Sequence, residues 1–371
     1  MTYLIGLLSV VFLGLAIMIV SKSIALSKGI QGADDSDARV DGANNGNAFG
    51  FLVFLVLGSI AAAWSFLHSQ PDFLPVAGSE HGLKTDQMFW ISMGVVTAAF
   101  FFTNTLLFIF AFLYRYKKNN VATFYPVNHK LEIIWTIIPA IVMAVLVFTG
   151  WRIWRDITKQ APDNAVVIEV TGHQFGWYVR YAGNDDNKLG NQNYKLIDDT
   201  NQIGIDFTDE SSFDDFTANE LHLPKGVPVL LKIKAQDVLH SVYLPYQRVK
   251  MDAVPGMPTK FWFVANKSTD EMRAELGKSD FNYKLNCTEI CGRGHFGMAI
   301  TVFVDEPEDY KAWVAQQKPF LTQNPDYLAK VPEKLKGKAQ KYTPAEAPAA
   351  ESDSTQAAAG AAPATASLRR R

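Results

Sequence analysis

Apolar and polar positions alternate along this chain on two different length scales. Residues 2–21 carry no charge, and residues 48–67, 87–114 and 133–151 repeat the pattern. About 20 apolar residues cross a bilayer core, so the first 155 residues read as four membrane spans. Trp64, Trp90, Trp135 and Trp151 stand near span ends, where an indole ring favours the lipid–water interface. A cleaved secretory signal would open with basic residues, but here Lys22 and Lys28 follow the first apolar run. That order favours a retained helix. From Ala165 the period shortens. Val166, Ile168 and Val170 alternate with Val167 and Glu169, and residues 227–234, 259–265 and 298–304 read as further short strands between turn residues. Many short alternating segments without a long helix predict a β-sandwich or small barrel.

Charge orients this plan. The loop between spans three and four holds Arg115, Lys117, Lys118 and Lys130, and that between spans one and two holds Lys22, Lys28 and Arg39. The loop between spans two and three holds only Lys84. The positive-inside rule then puts the first and third loops in the cytoplasm and both termini outside, so everything after about Arg155 is extracytoplasmic. The expected domains are residues 1–47 (first span and loop), 48–155 (the remaining spans), 156–317 (the β domain) and 318–371 (a C-terminal extension). Within the last, residues 318–338 suggest a short surface helix. From about residue 342 Ala, Pro, Ser and Thr dominate, too polar and small to bury a core. A formal net charge of -2 gives no sign of a nucleic-acid partner.

The candidate chemistry lies in residues 286–298, N-C-T-E-I-C-G-R-G-H-F-G-M. This stretch holds the chain's two cysteines, Cys287 and Cys291, followed by His295 and Met298. Two thiolates, an imidazole and a thioether suit copper far better than magnesium or calcium. One loop rarely closes a metal site alone, and His240, in D-V-L-H-S-V-Y-L-P after a strand, is the best outside ligand. His68, His81 and His129 lie beside spans. His222 sits in an alternating strand and reads as structural, and His173, in G-H-Q-F-G-W-Y, could be a core residue. For the cysteines a disulfide and a zinc site are the rival readings. Two cysteines bridging two coppers, with one histidine each, fit the ligand count better than a mononuclear blue-copper site, which takes one cysteine and two histidines.

With those residues in hand, the chain resembles subunit II of the haem–copper cytochrome c oxidases. L-E-I-I-W-T-I-I-P-A (131–140), G-H-Q-F-G-W-Y and V-K-M-D-A-V-P-G (249–256) extend the similarity over residues 89–303. The resemblance implies membrane helices followed by an extracytoplasmic cupredoxin-like Greek-key β-sandwich that carries a dinuclear CuA centre. It implies that Cys287 and Cys291 bridge the coppers, that His240 and His295 bind one each, and that Met298 and the Glu289 carbonyl are weak ligands. The Glu289 carboxylate would reach a magnesium or manganese ion shared with subunit I. Glu132 would stand near the mouth of a proton pathway, with simple interfacial solvation as the plainer reading. Phe175 replaces the family's usual tryptophan for electron uptake, while Trp177 keeps the second aromatic position. The implied partners are the haem-bearing subunit I, further oxidase subunits, membrane lipid and a cytochrome c-type donor, free or within a respiratory supercomplex. The implied location is the bacterial inner membrane. There is no C-x-x-C-H haem site, so the donor is a separate protein.

Three further points complete the expectations. A membrane-anchored copper-delivery protein is the alternative; it would need one anchor and a thioredoxin-like α/β pattern. A quinol oxidase subunit II would share the architecture without the copper ligands. Residues 184–220 hold ten acidic residues and two lysines, read either as a solvated insertion or as a docking patch for a basic cytochrome c.

Overall fold

The computed structural model describes residues 12–24, 42–117, 121, 123–183 and 187–343. Three of its helices are long and apolar enough to cross a membrane: α2 (Gly42–Ser69), α3 (Glu80–Leu113) and α4 (His129–Thr158). Their large side chains, among them Phe54, Leu57, Phe102 and Ile138, are exposed around the helix, as lipid requires. A shorter apolar helix, α1, spans Phe12–Ile24; the rest of the expected first span, residues 2–11, lies outside the described residues. At 34 residues α3 rises about 51 Å, well beyond a hydrocarbon core. Its first turns carry Glu80, Lys84 and Asp86, the polar end that suits water rather than lipid.

By their contacts the chain forms two compact units. Among the described residues, one lies within 12–74 and 90–146, the other within 75–89 and 147–343. The second unit is built on two five-stranded sheets. The first runs β3 (Phe216–Ala218), β2 (Gly176–Tyr181), β1 (Val166–His173), β5 (Pro228–Ala235), β8 (Thr259–Val264). The second runs β4 (Leu221–Pro224), β10 (Ala299–Asp305), β9 (Tyr283–Cys287), β6 (His240–Leu244), β7 (Val249–Ala253). Pairing is antiparallel except at β1–β5 and β4–β10. Alternation puts Ile168, Val170, Val179, Leu231 and Ile233 of one sheet against Val242, Leu244, Leu285 and Val302 of the other, all fully buried. A short helix, α5 (Thr269–Leu276), closes one side. Ser268 and Glu271 form its capping box, and Gly277 ends it at a φ of 63°.

The start of α3 is tied into this unit. Gly78 N–H donates to the Tyr246 carbonyl (2.7 Å), the Ser79 hydroxyl donates to the Gln247 carbonyl (2.7 Å), and Arg248 donates two hydrogen bonds to Asp86 (2.7 and 2.9 Å). A bidentate guanidinium–carboxylate pair fixes orientation as well as distance.

The described part of the acidic stretch is folded rather than a loose loop, although Asp198, Asp199, Glu210 and Glu220 remain exposed on it. Ile203, Ile205, Phe207 and Phe213 pack with Phe320, Leu321, Tyr327 and Val331 into a second core. The residues after the sandwich, α6 (Pro307–Gln316), α7 (Phe320–Gln323) and α8 (Glu333–Ala339), thus include helices packed on the insertion rather than a lone surface helix. Several of its acids are paired within this lobe. Asp198 accepts from Tyr327 (2.5 Å) and Lys330 (3.0 Å), Glu210 pairs with Lys338 (2.7 Å), and Asp209 caps a turn. Asp215 is buried against Arg180 (2.9 Å), which also meets Glu169 (3.2 Å). Glu169, on the polar side of the β1 alternation, is therefore buried too, because the insertion covers that face. Asp185 and Asp186 and the tail from residue 344 lie outside the described residues.

Candidate metal centre

Three segments converge at one end of the sandwich: the turn after β1, the start of β6, and the loop between β9 and β10. His240 opens β6 and is fully buried. Its ring rests on Gly172 of β1, where a Cβ would stand 2.9 Å from two ring carbons, so only glycine leaves room for it. Nε2 of His240 bonds to Asp237 Oδ1 at 2.9 Å. That bond places a proton on Nε2 and leaves Nδ1 as the free donor, 3.9 Å from Cys287 Sγ. Asp237 in turn accepts from the backbone N–H groups of Gln174 and Val238. Burial alone would raise its carboxyl, but the hydrogen bonds from His240 and these amides hold it below the usual carboxylate range.

Cys287 ends β9, and its N–H donates to the Met298 carbonyl (3.1 Å) at the other side of the loop. Its thiol points at the Glu289 carbonyl (3.2 Å). Cys291 Sγ lies 3.6 Å from His295 Nδ1 and 3.7 Å from Met298 Sδ. The donor atoms of His240, Cys287 and Cys291 all fall within 4.8 Å of one another. His295 reaches this group through Cys291 rather than standing within it. Met298 is buried, Glu289 and His295 half-buried. Both cysteines are free thiols, not a disulfide. Burial, then the neighbouring Cys287, pushes the Cys291 thiol up to about 11. Loading a metal here must release that proton.

The donor set fits copper. Thiols, an imidazole and a thioether are gathered out of water, with soft sulfur predominant and no carboxylate oxygen in the group.

Other singled-out residues fall elsewhere. Phe175, about half exposed, lays its ring on Gly292 and Gly294 of the cysteine loop, and side chains at either glycine would collide with it. Trp177 is buried with its ring edge toward His240 (centroids 5.9 Å). His173 stacks on Tyr178 at 4.1 Å, outside the donor group. His222 is sandwiched by Trp313 and Phe303 and bonded to Asp305 (2.7 Å), a structural role. Glu132 lies in the first turn of α4, partly exposed and 3.1 Å from His129. Three residues of the site carried no role in the sequence reading: Gly172, Gln174 and Asp237. Gln174 Nε2 donates to the Cys291 carbonyl at 2.5 Å, tying the β1–β2 turn to the loop. Asp237 had a signal, an acid three residues before the candidate histidine; Gln174 had none beyond its place in the aromatic motif.

Apolar helices leading into a cupredoxin-like β-sandwich, with thiols and an imidazole gathered at one end, define a membrane-anchored copper protein with an extracytoplasmic domain. Residues 166–304 match the family model for the periplasmic domain of cytochrome c oxidase subunit II, and residues 67–153 match the one for its transmembrane domain. The chain belongs to the cytochrome c oxidase subunit II family. The alternative cytochrome c oxidase subunit 2 of Bradyrhizobium diazoefficiens is 32% identical over 234 residues, 62% of this chain and 78% of that protein. Cytochrome c oxidase subunit 2 of Synechocystis sp. is 28% identical over 294 residues, 74% of this chain and 85% of that protein. The crystal structure of the periplasmic domain of subunit II of cytochrome oxidase (CoxB) of Bradyrhizobium japonicum is 24% identical, with a TM-score of 0.29, covering 42% of this chain and 95% of that one.

Proposed function

We propose that this chain is the electron-accepting subunit of a respiratory cytochrome c oxidase of the bacterial inner membrane, with its β domain and both termini outside. The observation that carries the reading is the gathering of His240, Cys287 and Cys291 within 4.8 Å, with Met298 and His295 against Cys291. In this reading His240, Cys287, Cys291, His295, Met298 and the Glu289 carbonyl would hold a dinuclear copper centre, with the two thiolates as its main donors. When bound, that centre takes up and gives back one electron at a time. The chain's own residues keep the donors fixed: Gly172 and Asp237 set the His240 ring, and Gln174 anchors the loop at Cys291. Rigid donors mean little rearrangement when the charge changes.

Electrons come from a cytochrome c-type donor near Phe175, pass inward by Trp177, and leave for haem in subunit I, where oxygen is reduced to water and protons are pumped. The Glu289 carboxylate would be a ligand to a magnesium or manganese ion shared with subunit I, a hard ligand for a hard cation. Glu132 serves the mouth of a proton pathway on the other side of the membrane. The copper-delivery alternative lacks its expected α/β pattern, since the extracytoplasmic unit is a sandwich of two five-stranded sheets.

The test is a copper count with electron spin resonance on the purified full-length protein. Two coppers sharing one unpaired electron, lost in Cys287→Ser together with cytochrome c oxidation, are expected. One mononuclear copper, or activity retained after the substitution, would overturn the reading.

A further inference from the structure

Trp262 of β8 is the joint on which the outer ends of two membrane helices meet. Its indole N–H donates to the carbonyl of Lys159, the residue after α4 (3.0 Å), and its ring meets His81 of the first turn of α3 edge-on at 4.6 Å. Beside it opens a cavity of about 590 Å³, lined by the segment after α4 and by residues of β1, β5, β7 and β8. The cavity is amphipathic. Leu230, Met251, Phe261 and Trp262 line it with apolar surface, while Lys159, Lys188 and Lys260 contribute three cations against one carboxylate, Asp163.

We propose that this cavity holds the phosphate headgroup of an anionic phospholipid from the outer leaflet. The height is right. Trp151 and Trp154 are exposed on the last turns of α4 and mark the interface, and Lys159 stands about 7 Å above Trp154 along the helix. Lipid phosphates lie in that layer, within reach of a lysine stem. The charge is also right. The last carbonyls of α4 present a partial negative charge that would repel a phosphate on its own, so a bound phosphate relies on the lysines of the lining to outweigh it. The apolar lining separates this ligand from a free anion, because a glycerol backbone and the first acyl carbons can cover it and inorganic phosphate cannot. Nothing in the copper site takes part, so the site acts as an anchor that fixes the β domain against the membrane surface.

The test uses the full-length protein in detergent, offered phosphatidylglycerol, phosphatidylethanolamine or inorganic phosphate, with retained ligand counted by native mass spectrometry. Wild type should keep phosphatidylglycerol in preference to phosphatidylethanolamine. The variant with Lys159→Gln, Lys188→Gln and Lys260→Gln should lose retention by at least about tenfold. The corresponding triple Lys→Arg variant should keep it, which separates lost charge from a damaged fold. Equal retention by wild type and the glutamine variant, no preference for the anionic lipid, or displacement of lipid by millimolar phosphate would each overturn the proposal.

Discussion

Asp237 holds His240 from behind: the carboxylate accepts a hydrogen bond from Nε2–H at 2.9 Å, and Nδ1 is left facing Cys287 Sγ at 3.9 Å. The same carboxylate accepts the Gln174 N–H, and the Gln174 side chain reaches the Cys291 carbonyl. One acid thus links the three segments that build the site. A ligand imidazole whose far nitrogen is bonded keeps one tautomer and one orientation, and it becomes a stronger donor.

Asp237→Ala should therefore weaken copper binding without unfolding the sandwich. Loss of such a supporting partner typically costs 10–100-fold in metal affinity, so about that range is expected here. Competition against a chelator of known affinity gives the number, and far-UV circular dichroism checks the fold. Wild-type copper affinity in the variant would show that Asp237 does not orient the ligand.

The helices and several strands were legible in the sequence because each follows a simple periodicity. β5, β8 and β10 fall almost where alternation puts them, and 133–151 lies inside α4. The donors were legible because cysteine, histidine and methionine in one short loop have few other reasons to coincide. The supporting residues were not. Gly172 matters only because the His240 ring rests on it, a contact between positions 68 apart that no local pattern carries. The packing of the acidic insertion is illegible for a related reason. Composition records ten acids but not that Lys330, Lys338 and Arg180 come to meet several of them from distant parts of the chain. Long-range pairing turned an apparently solvated stretch into half of a packed lobe.

The lobe gives the second prediction. Phe213 is 1% exposed in the core shared with Phe320 and Tyr327. Phe213→Ala removes a ring and leaves a cavity, at a cost of ~3–5 kcal/mol. Because the lobe has its own core, separate from that of the sandwich, the damage should be local. Limited proteolysis should cut residues 318–343 much faster in the variant, while the copper spectrum stays as in wild type. A copper spectrum lost along with protease resistance would mean that lobe and metal centre fold as one cooperative unit.

Asp215 gives the third, and its sign follows from burial. Removal from water pushes its carboxyl up to about 7, against the opposing pull of Arg180 and the Gly190 N–H. In the unfolded chain an aspartate titrates near ~3.9. Between those values the folded state binds more protons than the unfolded state, so the contribution of this group falls as pH rises from about 4 to about 7 and then levels off. Melting temperature should accordingly drop between pH 5 and 8, by about 5 °C if this group dominates the change in that range. Asp215→Asn cannot ionise, so its melting curve should be flatter over the same interval, with the variant comparing least well with wild type at pH 5. Thermal melts of both proteins across that range decide the matter. Parallel slopes in the two would mean that Asp215 stays ionised against Arg180 throughout and that the pair, not the proton, holds the lobe to β2.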